Sequence, residues 1–193
     1  MRLYLFDFDG TLTTRDSLIE VMVFAVGWPT FLIKMPLVGL AFLRLLLNKN
    51  WSAGYAKAAL LSTYFLHKTR SELEKIGADF CEKSLPKILR PDLLDEAKKA
   101  RAAGGFVAVV SASCDFWLLP FCEKHGFELI CTEIEYVAGR FSGRFSTPNC
   151  NREEKAVRVK AHFELSDFEE ILAWGNSEGD SAMLGLAQKR FKI

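Results

Sequence analysis

The sequence contains no CxxC pair, no histidine cluster and no long run of one charge sign. Its five cysteines (Cys81, Cys114, Cys122, Cys131, Cys150) are scattered and odd in number. That excludes a zinc ribbon and argues against a disulfide framework, so buried thiols in a reducing compartment are expected. The three histidines (His67, His125, His162) lack metal-ligand spacing. With 25 Lys+Arg against 24 Asp+Glu, the formal net charge is +1, too little for a nucleic-acid binder. Internal repeats and low-complexity tracts are also missing. The N-terminus runs straight into a strand that ends in acids, which no secretory leader carries. The expectation is a cytoplasmic protein.

What is present is a globular composition, half hydrophobic and a quarter charged over 193 residues. That length suits one core domain with a modest insertion. Short apolar runs at 2–8, 106–110, 127–131 and 170–174 read as buried strands, with a fifth near 190–193. Helical stretches at 91–103, 113–125, 152–163 and 180–188 alternate with them. The first starts with Pro91 and stops before Gly104-Gly105. Residues 133–146 alternate around Ala-Gly and read as a β-hairpin. Strands alternating with helices imply a three-layer α/β fold with a Rossmann-like parallel sheet, whose sites lie at the strands' carboxyl ends. Asp7, Ser111 and Asn176 fall there. Residues 15–88 break the rhythm and read as wholly helical, with 52–66 and 69–85 as separate helices. The domain expectation is therefore a core of 1–14 and 89–193 with an all-helical insertion, 15–88, after strand 1.

From Ile19 to Leu47 the chain holds only three charges, Glu20, Lys34 and Arg44, and is interrupted by Gly27, Pro29, Pro36 and Gly39. A spanning helix needs roughly 20 apolar residues, and the uncharged run 21–33 is shorter. A pair of buried helices, a membrane-surface hairpin, a true span and a homodimer interface all remain open for this segment.

Asp7-Phe8-Asp9-Gly10-Thr11 is the strongest chemical signal. Carboxylates at i and i+2 would diverge on a continuing strand, but Gly10 lets the chain turn so that both serve one pocket. A carboxylate can attack phosphorus while a second carboxyl protonates the leaving oxygen. Two acids beside a cation and a phosphate can be held in different protonation states.

With these residues the chain resembles the haloacid dehalogenase superfamily, in the phosphatase branch that includes phosphoserine phosphatase. The DxDGT motif matches Asp7 to Thr11. The strand-end Ser matches Ser111 in VAVVSAS, the helix-start Lys matches Lys155 in NREEKAVRV, and GNSEGDSAML (175–184) matches the acidic fourth motif in part. The resemblance implies an Mg²⁺-dependent phosphatase acting on a small-molecule phosphomonoester. Asp7 would be the nucleophile and Asp9 the acid/base. Ser111, Lys155, Thr11, the Ala112 backbone and Asp16 would bind phosphate or substrate. Asp7, Asp9, Asn176 and Asp180 would serve the metal, with Glu178 as the competing ligand. The second Asp argues for phosphoryl rather than dehalogenase chemistry.

Two departures bear on function. Asn176 stands where the fourth motif usually has Asp, which removes a negative charge from the metal site and leaves open a weakly active member that binds a phosphorylated ligand or partner. The stretch WSAGYAKAALL carries Lys57 but not the Arg that phosphoserine phosphatase uses for its substrate carboxylate. A phosphoserine-phosphatase-like metabolite enzyme is therefore the alternative. The apolar 19–47 run, which resembles a membrane-associated branch of the superfamily, favours a lipid-linked or amphipathic phosphomonoester and a protein peripheral to the inner face of the membrane.

Overall fold

The protein is described by a computed structural model covering residues 1–49 and 51–193. Among the described residues seven strands occur in the order β1 (Arg2–Phe6), β2 (Phe106–Cys114), β3 (Glu128–Thr132), β4 (Ile134–Val137), β5 (Arg140–Phe145), β6 (Glu170–Gly175) and β7 (Lys189–Lys192). Seven α-helices accompany them: α1 (Ser17–Leu47), α2 (Ala53–Phe65), α3 (Arg70–Lys83), α4 (Pro91–Ala102), α5 (Asp115–His125), α6 (Glu153–His162) and α7 (Ser181–Leu184).

Five strands form one sheet, ordered β3-β2-β1-β6-β7 and parallel throughout. Strand alternation divides the core in two. Leu3 and Leu5 of β1 join Ala108, Val110, Ile171 and Ala173 on the face covered by Val159 and Met183. Phe6 joins Val107, Val109 and Trp174 on the other face, under Trp117 and Phe121 of α5. Trp174 stacks between Phe6 at 4.4 Å and Phe191 at 4.5 Å, a flat aromatic contact that adds to area burial. This is the expected three-layer parallel fold. The hairpin at 133–146 also forms, as antiparallel β4–β5. All five cysteines are free and buried.

Several boundaries differ from the sequence expectation. Strand β1 stops at Phe6, because Phe8–Leu12 winds into one wide turn with Gly10 at φ 80°. Strand β2 runs on to Cys114, with a register shift between Ser111 and Cys114, so α5 starts at Asp115 rather than 113. The helix expected over 180–188 is only the four residues of α7. Beyond Gly185 the chain turns to bring Gln188 N–H onto the Ile171 carbonyl at 3.0 Å and to align β7 beside β6.

The helices between β1 and β2 leave and return through paired chain. Thr14 N–H donates to Ile88 O at 2.7 Å, and Arg90 N–H to Leu12 O at 2.8 Å. Their other anchor is the hairpin, where Phe141 N–H donates to Lys68 O and His67 N–H to Phe141 O. α3 starts with a capping box between Thr69 and Glu72 and meets α5 at Gly77. A Cβ there would lie 1.7 Å from the Phe116 carbonyl oxygen.

Of the readings left open for 19–47, the pair of buried helices is not what forms. α1 breaks at Gly27 (φ 76°, ψ 153°) into two rods. Leu18, Val21 and Met22 of the first rod are buried, whereas only 11% of the most apolar window of the whole helix is. Gly27 bears the break because φ and ψ of this kind are tolerated without a Cβ. Pro29 then sits in the first turn of the second rod, where its missing N–H has no partner to lose.

Candidate active site

Asp7 ends β1. Its N–H donates to Trp174 O at 3.0 Å, so strand pairing with β6 aims its side chain off the sheet's carboxyl edge. Lys155 Nζ lies 2.6 Å from Asp7 Oδ1 and 2.6 Å from Asp180 Oδ1. Lys155 is 2% exposed. A buried ammonium persists only when charges and hydrogen bonds compensate it, and here two carboxylates do. Thr11 Oγ1 donates to Asp7 Oδ2 at 2.8 Å.

These charges fall into an order. Burial alone would lower the Lys155 pKa, but Asp7 and Asp180 hold it above its ordinary value. Burial presses on Asp180 too, yet Lys155 and the Ser177 donors keep its carboxyl below the usual range. Asp7 shares the lysine with fewer donors, and burial raises its pKa despite Lys155. One lysine between two acids leaves a net negative charge, and Asp180 holds it more firmly.

Asp9 has separate partners. Its Oδ1 accepts from Ser17 N–H at 2.7 Å and its Oδ2 from Ser113 Oγ at 2.5 Å. Burial, helped by the charge of Asp16, raises its pKa against those donors. Ser17 in turn receives Trp117 Nε1 at 3.0 Å. The two acids of the motif are thus held apart electrically: one on the α6 lysine, the other on hydroxyl and backbone donors of β2 and α1.

The remaining expected residues are placed as follows. Ser111 is buried at the end of β2, its Oγ accepting Ser113 N–H at 3.0 Å. The Ala112 carbonyl accepts from Lys57 Nζ at 2.7 Å and Thr132 Oγ1 at 2.9 Å. The Thr11 hydroxyl is spent on the Asp7 carboxylate. Asp16 is exposed and caps α1 through Leu18 N–H at 2.8 Å. Asp180 Oδ2 accepts from Asn176 N–H, Ser177 N–H and Ser177 Oγ, so both its oxygens have protein partners. Glu178 is exposed and lines a shallow depression with Arg152 and Glu153.

Ser17, Ser113 and Lys57 are contacts that the motif pattern does not mark as catalytic machinery. Ser113 has a faint signal, since it lies two residues after Ser111 and shares its side of the strand.

The donors suit a hard cation. The Asp7 carboxylate, the Asp9 main-chain carbonyl and the Asn176 amide are all oxygen ligands of the kind Mg²⁺ takes. Asn176 lies against the turn so closely that a Cβ on Gly10 would come 2.0 Å from its Nδ2. Among the described residues no three His, Cys, Asp or Glu side chains converge as a metal site. The set fits Mg²⁺ with reduced charge.

A cleft of about 990 Å³ lies beside this centre, between the α1–α2 connection and the hairpin. Trp51 and Tyr55 line one end, and Asn149, Asn151 and Arg152, just before α6, line the other. Asp7 is not part of its wall.

The parallel sheet is Rossmann-like, and a buried aspartate–lysine pair sits at its carboxyl edge. The chain belongs to the haloacid dehalogenase-like hydrolase family, whose sequence model matches residues 4–185. It is 29% identical over 193 residues to Protein CicA of Caulobacter vibrioides NA1000, covering 96% of this chain and 82% of the relative. A solved protein of unknown function from Bordetella pertussis Tohama I superposes with a TM-score of 0.78 at 25% identity, over 99% of this chain and 89% of its own. A phospho-aspartyl intermediate analogue of phosphoserine phosphatase shares the fold, with a TM-score of 0.65 at 18% identity over 98% and 85%.

Proposed function

We propose that this hydrolase cleaves a phosphomonoester in two steps through an aspartyl-phosphate on Asp7. The observation that carries this reading is the bridge of Lys155 between Asp7 and Asp180. Lys155 can pass from Asp7 to a phosphate oxygen without leaving Asp180, so its charge stays compensated as the substrate arrives. In the first step an Asp7 oxygen bonds to phosphorus, the bond from phosphorus to the leaving alcohol breaks, and Asp9 gives that oxygen a proton. In the second, Asp9 takes a proton from water, the water oxygen bonds to phosphorus, and the Asp7 oxygen–phosphorus bond breaks. The raised pKa of Asp9 suits a group that must hold a proton before it gives one. Ser111 and Lys155 hold the non-transferred oxygens.

Asp7, the Asp9 carbonyl and Asn176 would hold Mg²⁺, which when bound neutralises charge on the transferring group. Asp180 anchors the loop that carries Asn176. Residues 15–88 act as a helical cap over the core of 1–14 and 89–193, and Lys57 stands where an anionic substrate group would meet the cap. An amphipathic or lipid-linked phosphomonoester, met in the cytoplasm at the inner face of a membrane, is the substrate class this reading favours. The substitution at Asn176 supports a second reading, a weakly active binder of a phosphorylated ligand.

The test is phosphate release from an aryl phosphate with and without Mg²⁺, comparing wild type with Asp7→Asn. Turnover that needs Mg²⁺ and vanishes in Asp7→Asn is expected. Undiminished turnover in the variant would remove Asp7 as nucleophile. An inert wild type that still forms an Mg²⁺-dependent beryllium fluoride adduct would favour a cap that excludes the aryl phosphate, and one that forms no adduct would favour the binder.

A further inference from the structure

We propose that the outward face of the second rod of α1, residues 28–47, docks on the surface of an anionic lipid bilayer. One stripe of this rod is held by α2. Phe31 stacks on Tyr64 at 5.3 Å, Tyr64 Oη donates to Phe31 O at 2.8 Å, and Lys34 Nζ donates to Thr63 O at 3.2 Å. On a surface helix the opposite side should be polar. Here it carries Leu32, Ile33, Leu37, Leu40, Leu43 and Leu47, all exposed, with Ile33 at 77% and Leu47 at 73%. The only polar side chains among the exposed residues of the rod are Thr30 and Arg44. Contiguous apolar surface of this kind marks an interaction site.

Charge selects the occupant. From Val21 to Ser71 there is not one Asp or Glu; Lys34 and Lys57 are bonded to protein carbonyls and Lys68 and Arg70 pair with Glu72 and Glu74, so Arg44 and Lys49 are the exposed bases beside the apolar face. A two-fold interface would set these bases against their own copies. An anionic bilayer complements them, since basic residues near such a surface are each attracted to it. Trp28 and Trp51, both exposed, flank the apolar face and belong at the depth of the head groups.

The rod lies on the membrane and does not cross it. Its 20 or so residues reach about 30 Å, long enough to span. Crossing would strip Phe31, Val38 and Lys34 from α2, which is itself tied to the hairpin through Ser62 Oγ and Gly143 O at 3.1 Å. Lying flat keeps those contacts and buries only the exposed leucines. Trp51 and Leu45 also line the 990 Å³ cleft.

The experiment is co-sedimentation of the full chain with vesicles of phosphatidylcholine, with and without phosphatidylglycerol. Binding only to the phosphatidylglycerol vesicles is expected, released at roughly 1 M salt, where the Debye length is about 3 Å. The double variant Leu37→Glu/Leu40→Glu should bind about tenfold more weakly or less. Both positions are exposed, so its thermal midpoint should match wild type and show that the fold is kept. A wild type that stays in the supernatant with both vesicles overturns the proposal. So does a dimer in solution that the double variant splits, or bound protein that resists both high salt and alkaline carbonate, which would mean a span.

Discussion

The ammonium of Lys57 donates a 2.7 Å hydrogen bond to the carbonyl of Ala112, joining α2 to the turn at the end of β2. Thr132 Oγ1 donates to the same carbonyl from the β3 side. The peptide between Ser111 and Ser113 is therefore clamped by the inserted helices as well as by the sheet. Since Ser113 in turn holds Asp9, the clamp links the helical segment to both expected phosphate ligand and expected acid.

Lys57→Ala should lower kcat/KM for an aryl phosphate by about tenfold, the scale of one lost hydrogen bond to a charged donor. A positioning role predicts that kcat carries most of the loss, whereas a role in binding substrate charge predicts a raised KM. Unchanged values for both would show that the clamp does not serve turnover.

Asn176→Asp adds a negative oxygen ligand beside Asp7 and should tighten Mg²⁺ binding roughly tenfold, because an extra charge near a cation outweighs an amide dipole. Without metal the new acid faces Asp7 and Asp180, and the melting temperature should fall. Titration calorimetry checks the first effect and a melt in chelator the second. Unchanged or weaker affinity would count against Asn176 as a ligand.

Burial pushes the Asp115 carboxyl up to about 6 from 3.8, against the lowering by the Ile134 and Phe116 N–H groups. Between those values the folded chain keeps a proton that the unfolded chain has lost, so stability falls as pH rises through this window. The loss is at most roughly 3 kcal/mol. Asp115→Asn can still accept from Ile134 N–H, 3.2 Å away in the native protein, and should flatten the pH dependence of the melting temperature between about 4 and 6. A variant that keeps the wild-type slope would place the titration elsewhere.

Gly77→Ala should destabilise the protein by about 1–3 kcal/mol, the usual range for overpacking. Its Cβ would lie 1.7 Å from the Phe116 carbonyl, which is backbone and cannot turn aside. Chemical denaturation measures the change. A neutral result would mean that α3 and α5 can separate without cost.

Much of this was legible in the chain. The unbroken apolar runs LYLF, VAVV and ILAW set the buried strands, because side chains that point in turn to two packed faces must be apolar on both. Gly10 after two acids announced a turn, and its φ of 80° is that turn. The order of Asp7, Ser111 and Lys155 along the chain followed the order of the elements that carry them. The long apolar run at 19–47 was visible too, but composition does not say whether a neighbour covers it.

The layers of the fold and the groups that could do chemistry follow from local period and residue type, and both can be read along the chain. How those groups are paired came from the folded arrangement. It set Lys155 between Asp7 and Asp180, bound Asp9 to Ser113 and Ser17, and turned the Thr11 hydroxyl onto Asp7. It also left the outer side of α1 bare. Each of these depends on distances between segments remote in the chain, and those distances arise from packing that no local pattern encodes.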